Sequence, residues 1–462
     1  MGAGKSTLGP ELAARLGRSF VSIDALVEER TGSPVAALFA ERGEAAFREL
    51  EEQAAADALG RQPPAVIELG GGALGSSSTR AALAESAFVL LLDVAPGEAW
   101  QRVGGTDRPL ARDPEAFRGL FEERRALYEE AADGRASDLD GAVLVAAGIR
   151  VEPGGTGRLA GLVPGEGAAE LVVDAMVEPL YGDRVRSALG ERLQRSHTVP
   201  AGERAKVVAE AHRLWSALRL DRGGTLVALG GGSTTDLAGF VAATFLRGVG
   251  WVPVATTLVG QVDAAIGGKT AIDLDEGKNL VGSFHWPDRV VLDPDLLETV
   301  PAEELENGLA EVVKTGLLAG ERLWELPLAD QVRGCAAFKA AVCLRDPLER
   351  GERAQLNLGH TFAHALEAAS GYALPHGRAV ALGVLAALRL SGLEDEATEV
   401  EEVLRPTAVA VDRKAAHVAL ARDKKAVDGR LRLVLLETPG RPRIGVELDE
   451  GAVHTALDAL IA

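Results

Sequence analysis

The 462-residue chain is short of several things. It has two cysteines, Cys335 and Cys343, too few for a disulfide framework or a four-cysteine zinc centre, so a reducing cytoplasm is the expected compartment. No apolar run approaches the ~18 residues that span a bilayer. No basic segment followed by an apolar one opens the chain, so no secretory signal is expected. Positive charge is also scarce: 49 Lys and Arg against 68 Asp and Glu leave a net charge of −19, which argues against nucleic acid and anionic membranes as partners. Only nine of those 49 are lysines, and Lys5 is the sole lysine in the first 205 residues. Arginine supplies the generic positive charge, so each lysine marks a place where a compact ammonium is wanted.

What is present describes a large globular protein. The length is that of about three domains, and 47% hydrophobic with 25% charged residues is enough to bury sizeable cores. Strand-like runs at 65–69 and 87–93 alternate with helical patterns at 8–16, 33–39, 44–59 and 114–131, which predicts an α/β unit with a parallel sheet. A Gly/Pro cluster at 152–167 reads as a hinge. Further β/α alternation follows, with strands at 171–174, 225–229, 252–255 and 290–293, and from about 301 the pattern turns helical. The expected division is an α/β unit over 1–140, a junction over 141–167, an α/β unit over 168–298 and a helical domain over 299–462.

Gly2-Ala3-Gly4-Lys5-Ser6-Thr7 is the second half of a phosphate loop. Its glycines let backbone N–H groups wrap phosphate, Lys5 reaches the β/γ-phosphates, and Ser6 is placed to hold Mg²⁺. The full motif needs a glycine five residues before Gly4, and with it a feeding strand, which would precede Met1. The expectation is therefore a sheet without its central strand and a start codon lying upstream.

Gly230-Gly231-Gly232-Ser233-Thr234-Thr235-Asp236 follows a buried-type strand and opens a helix, the arrangement that brings backbone up to a pyrophosphate. Gly267-Gly268-Lys269-Thr270 and Gly277-Lys278-Asn279 place lysines beside glycines, poor structural filler but sound ligands for phosphate or carboxylate.

In Asn357-Leu358-Gly359-His360-Thr361-Phe362-Ala363-His364, two imidazoles share one helical face at i,i+4. His376 follows, so three of the eight histidines lie within 17 residues. Glu311 and Lys314 stand one turn apart on another helix. A zinc-type site with an open position is the expectation, and spacing alone would make His360 and His364 both ligands. Glu367 reads equally well as a helix-surface acid.

These motifs carry two resemblances. Phe20-Val21-Ser22-Ile23-Asp24, Gly43-Glu44-Ala45-Ala46-Phe47-Arg48-x-x-Glu51, Leu69-Gly70-Gly71-Gly72-Ala73 and Arg108-Pro109-Leu110 together resemble shikimate kinase over about 1–135. The resemblance implies ATP and Mg²⁺ at Gly2–Thr7, shikimate on Asp24, Arg48, Gly71 and Arg124, Asp24 as the group near the accepting hydroxyl, Arg108 on a lid, and Arg102 near the adenine. Ser22 departs from the family, which usually has an Asp near the metal there.

GGGSTTDLAGF, TTLVGQVDAAIGGKTAID, GKNLVG, GLAEVVK, NLGHTFAHALE and RDKK look like 3-dehydroquinate synthase over about 165–462. That resemblance implies Zn²⁺ or Co²⁺ on Glu311, His360 and His376, with His364 turned to substrate phosphate. It further implies substrate handling by Asp263, Lys269, Asn279, Lys314, Arg353, Asn357, Lys425 and Arg247. NAD would be held by Asp174, Glu203, Lys206, Gly232, Ser233, Thr234, Thr235, Asp236, Thr256, Thr257, Lys278, Leu296, Leu297, Glu298 and Thr299.

The expected fold is a P-loop-type parallel α/β unit, then a Rossmann-like α/β domain and a helical metal domain. The expected function is a bifunctional enzyme of the shikimate pathway, acting on small anionic substrates, with pairing of two copies through the synthase half. Two other readings stand beside it: a working synthase with a non-catalytic kinase-like module, and a metal-dependent polyol dehydrogenase.

Overall fold

The computed structural model describes residues 2–103, 113–422 and 431–462. They form two compact units, Met1–Ala147 and Gly148–Ala462.

In the first unit, Gly4 takes a left-handed conformation (φ 88°) and the Lys5–Arg15 helix starts immediately after it. Strands β1 (Phe20–Ser22) and β2 (Val66–Glu68) pair in parallel, with Ser22 opposite Glu68. Strands β3 (Leu90–Leu92) and β4 (Gly134–Ala136) form a second parallel pair. Among the described residues the four strands make two pairs and not one continuous sheet. The two helical patterns expected at 33–39 and 44–59 are one element, Val35–Leu59, broken at Gly43 (φ 79°, ψ 168°). Its apolar face packs Leu38, Phe47, Ala54, Ala55 and Ala58 against Val21, Ile23 and Val27. The Pro114–Ala131 helix has the predicted bounds: Asp113 accepts the Glu115 N–H and proline takes the first turn.

The second unit is built on a six-stranded parallel sheet. Its strands are β5 (Ile149–Val151), β6 (Ala169–Asp174), β7 (Leu193–Val199), β8 (Thr225–Gly230) and β9 (Gly250–Ala255), then, after a hairpin of β10 (Lys269–Leu274) and β11 (Gly277–Phe284), β12 (Val290–Leu292). The order is β5-β12-β9-β8-β6-β7. The inner strands β6, β8, β9 and β12 are covered on both faces, which is why they read as apolar runs, while edge strand β7 is polar and largely exposed. In β8, Leu226 and Ala228 enter one core and Val227 and Leu229 the other.

The Gly/Pro-rich stretch expected as a junction is in part structural. It supplies edge strand β5, and the buried Asp293 carboxylate accepts Gly154 N–H (2.9 Å), Thr156 N–H (3.0 Å) and Thr156 O–H (2.7 Å). Those bonds tie the glycines to the sheet, so the unit begins at Gly148 rather than after 167.

Among the described residues beyond β12 the chain is mostly helical, with one antiparallel hairpin of β13 (Leu433–Thr438) and β14 (Arg441–Val446). The His360–Ala369 and His376–Ser391 helices cross almost in backbone contact: a Cβ on Gly359 would lie 2.5 Å from Val384 N, and one on Gly383 2.1 Å from Gly359 O. No described helix is long and apolar enough to cross a membrane.

Candidate active sites

Three helices bring the acid and the imidazoles together. Glu311 lies within Ala302–Ala319, while His360 and His376 each open a helix. Glu311 Oε1 is 3.1 Å from His376 Nε2 and 3.5 Å from His360 Nε2. Ligand atoms about 2.1 Å from a tetrahedral zinc stand about 3.4 Å apart, so the trio has the size of a zinc site.

Each ring's other nitrogen is also held: His360 Nδ1 by Leu358 O (3.2 Å) and His376 Nδ1 by Glu367 Oε1 (3.1 Å). Metal-binding histidines need such orienting partners. Glu367 is therefore a buried positioning acid and not a surface one. His364 packs edge-on against His360, ring centroids 5.5 Å apart, and stands outside the three-ligand group.

Electrostatics in this pocket are steep. Burial would raise the Glu311 carboxyl, but Lys314, whose Nζ is 2.5 Å away, and the two imidazoles hold it well below the carboxylate range. Burial and Lys314 push His360 down to about 3. Burial opposes His376, yet Glu311 and Glu367 raise it to about 10.

Around the trio lie cations suited to an anionic substrate. Arg353 is buried, donates to Pro347 O (3.0 Å) and leaves its Nε without a partner among the described residues. Lys269 Nζ meets Glu349 Oε2 at 2.5 Å, and Asn357 donates to the other Glu349 oxygen (3.2 Å). Burial lowers Lys269, against the pull of Glu349. Asp263 accepts Lys339 Nζ at 2.7 Å and lies 3.9 Å from Lys314 Nζ. Glu349 and Lys339 were not singled out from the sequence. Lys339 sits mid-helix without a glycine beside it, and its one signal was the rarity of lysine.

The dinucleotide candidates gather at the carboxyl end of the sheet. The Gly232–Thr244 helix starts after β8, and Gly231 packs closely beside Thr257, where a Cβ would lie 3.0 Å from its methyl. Asp174 accepts Thr234 O–H (3.3 Å) and Met176 N–H (2.8 Å). Ser233 O–H donates to Glu203 (2.9 Å). Lys206 Nζ donates to Asp236 (2.8 Å) and Asn279 (2.5 Å), so burial, which would lower it, is outweighed by carboxylates. Thr256 lies buried with its hydroxyl unpartnered among the described residues. Lys278 lies over the Tyr372 ring, 5.1 Å from its centre, and 3.4 Å from Glu203. Leu296 and Leu297 are core residues, and Thr299 bonds Tyr181 (2.9 Å). Arg247 has φ 68° in an exposed turn and Glu298 is exposed.

In the first unit the phosphate-loop residues lead into their helix as expected. Gly2 is held at φ 72°, where a Cβ would strike Ala99 O at 2.3 Å. Arg102 folds over the loop, donating to Gly2 O (3.3 Å). Ser6 O–H donates to Glu68 Oε1 (2.7 Å), an oxygen-only set that suits Mg²⁺. Gly70 and Gly72 line the same pocket: a Cβ on Gly70 would meet the Glu51 carboxylate at 2.2 Å, with Asp24 Oδ1 at 3.1 Å, and one on Gly72 the Arg48 guanidinium at 2.2 Å, so a larger residue would push those side chains aside. Arg48 pairs with Glu51 (2.6 Å), whose carboxyl burial raises. Tyr128 O–H donates to Gly71 O (2.5 Å), and Arg124 acts on both Tyr128 and Glu51. Arg108 and Lys425 lie outside the described residues.

A glycine-turned parallel sheet beside a trio of buried Glu311 with half-buried His360 and His376, with lysines and arginine alongside, defines an α/β enzyme with a three-ligand metal pocket. The comparisons narrow that class. Residues 196–307 match the N-terminal and 308–426 the C-terminal 3-dehydroquinate synthase family models, and 1–143 match the shikimate kinase model. The chain is 40% identical over 349 residues to 3-dehydroquinate synthase of Symbiobacterium thermophilum (69% of this chain, 97% of that one). It is 39% identical over 361 residues to that of Xanthomonas axonopodis pv. citri (69% and 96%). Among solved structures, 2-epi-5-epi-valiolone synthase from Streptomyces hygroscopicus with NAD⁺ and Zn²⁺ bound superposes with a TM-score of 0.60 at 26% identity, covering 68% of this chain and 96% of that one. The chain belongs to the 3-dehydroquinate synthase family and carries a shikimate kinase module ahead of it.

Proposed function

We propose that the second unit converts 3-deoxy-arabino-heptulosonate 7-phosphate to 3-dehydroquinate and inorganic phosphate, and that the first phosphorylates shikimate from ATP. The Glu311–His360–His376 trio carries the synthase reading, because its spacing and its two orienting acceptors fit Zn²⁺ or Co²⁺. When bound there, the metal would polarise the substrate hydroxyl being oxidised. NAD⁺, on the glycine turn after β8 with Asp174, Lys206 and Lys278, would take that hydride and return it, so no NADH accumulates.

The remaining work falls to side chains. Arg353, Lys269, Asn357 and His364 gather the substrate's anionic groups, and Asn279 lies beside Lys206. Lys314 and Lys339 fix Asp263, and substrate displaces Glu349 from Lys269. Burial lowers the Lys269 amine, so it parts with a proton more readily than an exposed lysine does.

In the kinase unit Lys5 and the loop amides hold phosphate, and Ser6 would carry Mg²⁺, which neutralises charge on the phosphates. Arg48, Arg124 and Gly71 orient shikimate, and Asp24 accepts the proton of its reacting hydroxyl. The substrates are small anions, and the cytoplasm suits two buried free thiols.

A crossed pair of variants tests this. His360→Ala abolishes phosphate release and spares shikimate-dependent ADP formation; Lys5→Ala does the reverse. Loss of both by either variant contradicts independent sites, and net NADH would favour a dehydrogenase.

A further inference from the structure

Ser22 stands where shikimate kinases usually carry an acid near the metal, and its hydroxyl is committed elsewhere. It caps the Ile23–Thr31 helix, accepting Ala25 N–H at 3.5 Å. A serine is neutral and cannot offset a divalent cation, so the position as it stands gives that ion no charge support. A carboxylate is nonetheless present one strand away. The β1–β2 pairing sets Glu68 directly opposite Ser22, and Glu68 Oε1 accepts the hydroxyl of Ser6, the phosphate-loop residue placed to hold Mg²⁺, at 2.7 Å.

We propose that Glu68 is the acid that supports the nucleotide's Mg²⁺ in this chain, the charge having moved across the β1–β2 pair from position 22 to position 68.

In the parallel β1–β2 pair, Ser22 and Glu68 sit opposite each other on strands about 4.8 Å apart, so an acid at 68 reaches space that an acid at 22 would reach, with a side chain one methylene longer. Mg²⁺ keeps several of its waters and takes few protein ligands. It is therefore served by a carboxylate that accepts hydrogen bonds from the bound hydroxyl and waters without touching the ion. Glu68 already accepts the Ser6 hydroxyl at 2.7 Å, so the proton is taken up by the carboxylate and the hydroxyl's lone pairs stay available to a metal. An unneeded acid here would be costly, because a carboxylate beside a phosphate loop repels the triphosphate unless a cation lies between them.

The inference rests on the kinase reading of the first unit, and its test separates the two. The full chain, its synthase site loaded with Zn²⁺, is titrated with Mn²⁺ in the presence of ADP, and free Mn²⁺ is read by electron paramagnetic resonance. ADP binding without divalent metal is measured in parallel. Glu68→Gln is expected to weaken Mn²⁺ in the ADP complex by about tenfold, to leave or improve metal-free ADP binding, and to leave phosphate release by the synthase unchanged. Adding Ser22→Asp to Glu68→Gln is expected to recover Mn²⁺ affinity. Unchanged Mn²⁺ affinity in Glu68→Gln overturns the inference. So does an equal loss of metal-free ADP binding, which would make Glu68 structural. A double variant no tighter than Glu68→Gln overturns the cross-strand placement. A wild-type chain that binds neither ADP nor Mn²⁺·ADP overturns the kinase reading itself.

Discussion

Glu367 Oε1 lies 3.1 Å from His376 Nδ1, on the ring edge opposite the nitrogen that faces Glu311. The acid fixes which nitrogen of His376 is offered to a metal and makes it more basic. Glu367→Ala is therefore expected to weaken zinc binding by about 10–100-fold, read by competition with a chromophoric chelator, with no change in shikimate-dependent ADP formation. Unaltered zinc affinity would leave Glu367 a packing residue.

How much of this could be seen in the sequence differs by feature. A metal site stood out because three of eight histidines, His360, His364 and His376, cluster, but spacing pointed to His360 and His364, and the set Glu311, His360 and His376 came from the family resemblance. Strands β6, β8, β9 and β12 read correctly because burial on both faces makes them apolar, whereas the short edge strand β5 and the largely exposed, polar edge strand β7 did not read. Glu367 did not read, because i,i+3 from His364 and i,i+7 from His360 describe a helix face equally well with or without a partner. Its role depends on where the His376–Ser391 helix begins in space. Glu349 was invisible for a similar reason: it sits in an irregular loop at φ 54°, outside any periodic pattern. The 152–167 stretch misled because glycine and proline mark turns, and turns serve inside a sheet domain as well as between domains.

Lys339 supplies a second prediction. Its ammonium bonds both Asp263 Oδ1 (2.7 Å) and Asp263 O (2.8 Å), so it sets the acid's position directly. Lys339→Met is expected to lower kcat of the synthase by about 10²-fold while zinc content and NAD affinity stay unchanged. A change in KM alone would assign Lys339 to uniform substrate binding.

Stability of the metal-free synthase half is expected to peak near pH 6.5. His360 is held down to about 3, so its folded form stays neutral where the unfolded one charges, and stability falls as pH drops below 6.5. Glu311, held low, adds to that loss below about 4.5. His376 is raised to about 10, so its contribution is full below 6.5 and is lost as pH climbs from 6.5 towards 10. Thermal unfolding of chelator-treated protein from pH 4 to 9, following the transition that responds to added zinc, checks this. A midpoint rising steadily to pH 9 contradicts it.

Gly359 ties stability to the site. It has φ 77° and lies against the backbone at Val384, so Gly359→Ala adds about 1–2 kcal/mol of left-handed strain to a backbone clash. The helices bearing His360 and His376 must then part. Loss of bound zinc together with a lower zinc-responsive melting point is the expected result, with the kinase transition unmoved. A variant that keeps its zinc would show that the two helices have room to spare.

The central claim is that one chain holds two working sites. It is tested most directly by following ³¹P NMR spectra of the purified protein given the heptulosonate phosphate, shikimate, NAD⁺ and Mg·ATP together. Inorganic phosphate is expected to appear only with NAD⁺ and the sugar phosphate, beside ADP and a new phosphomonoester that appear only with shikimate. The absence of either signal under its own conditions contradicts that claim.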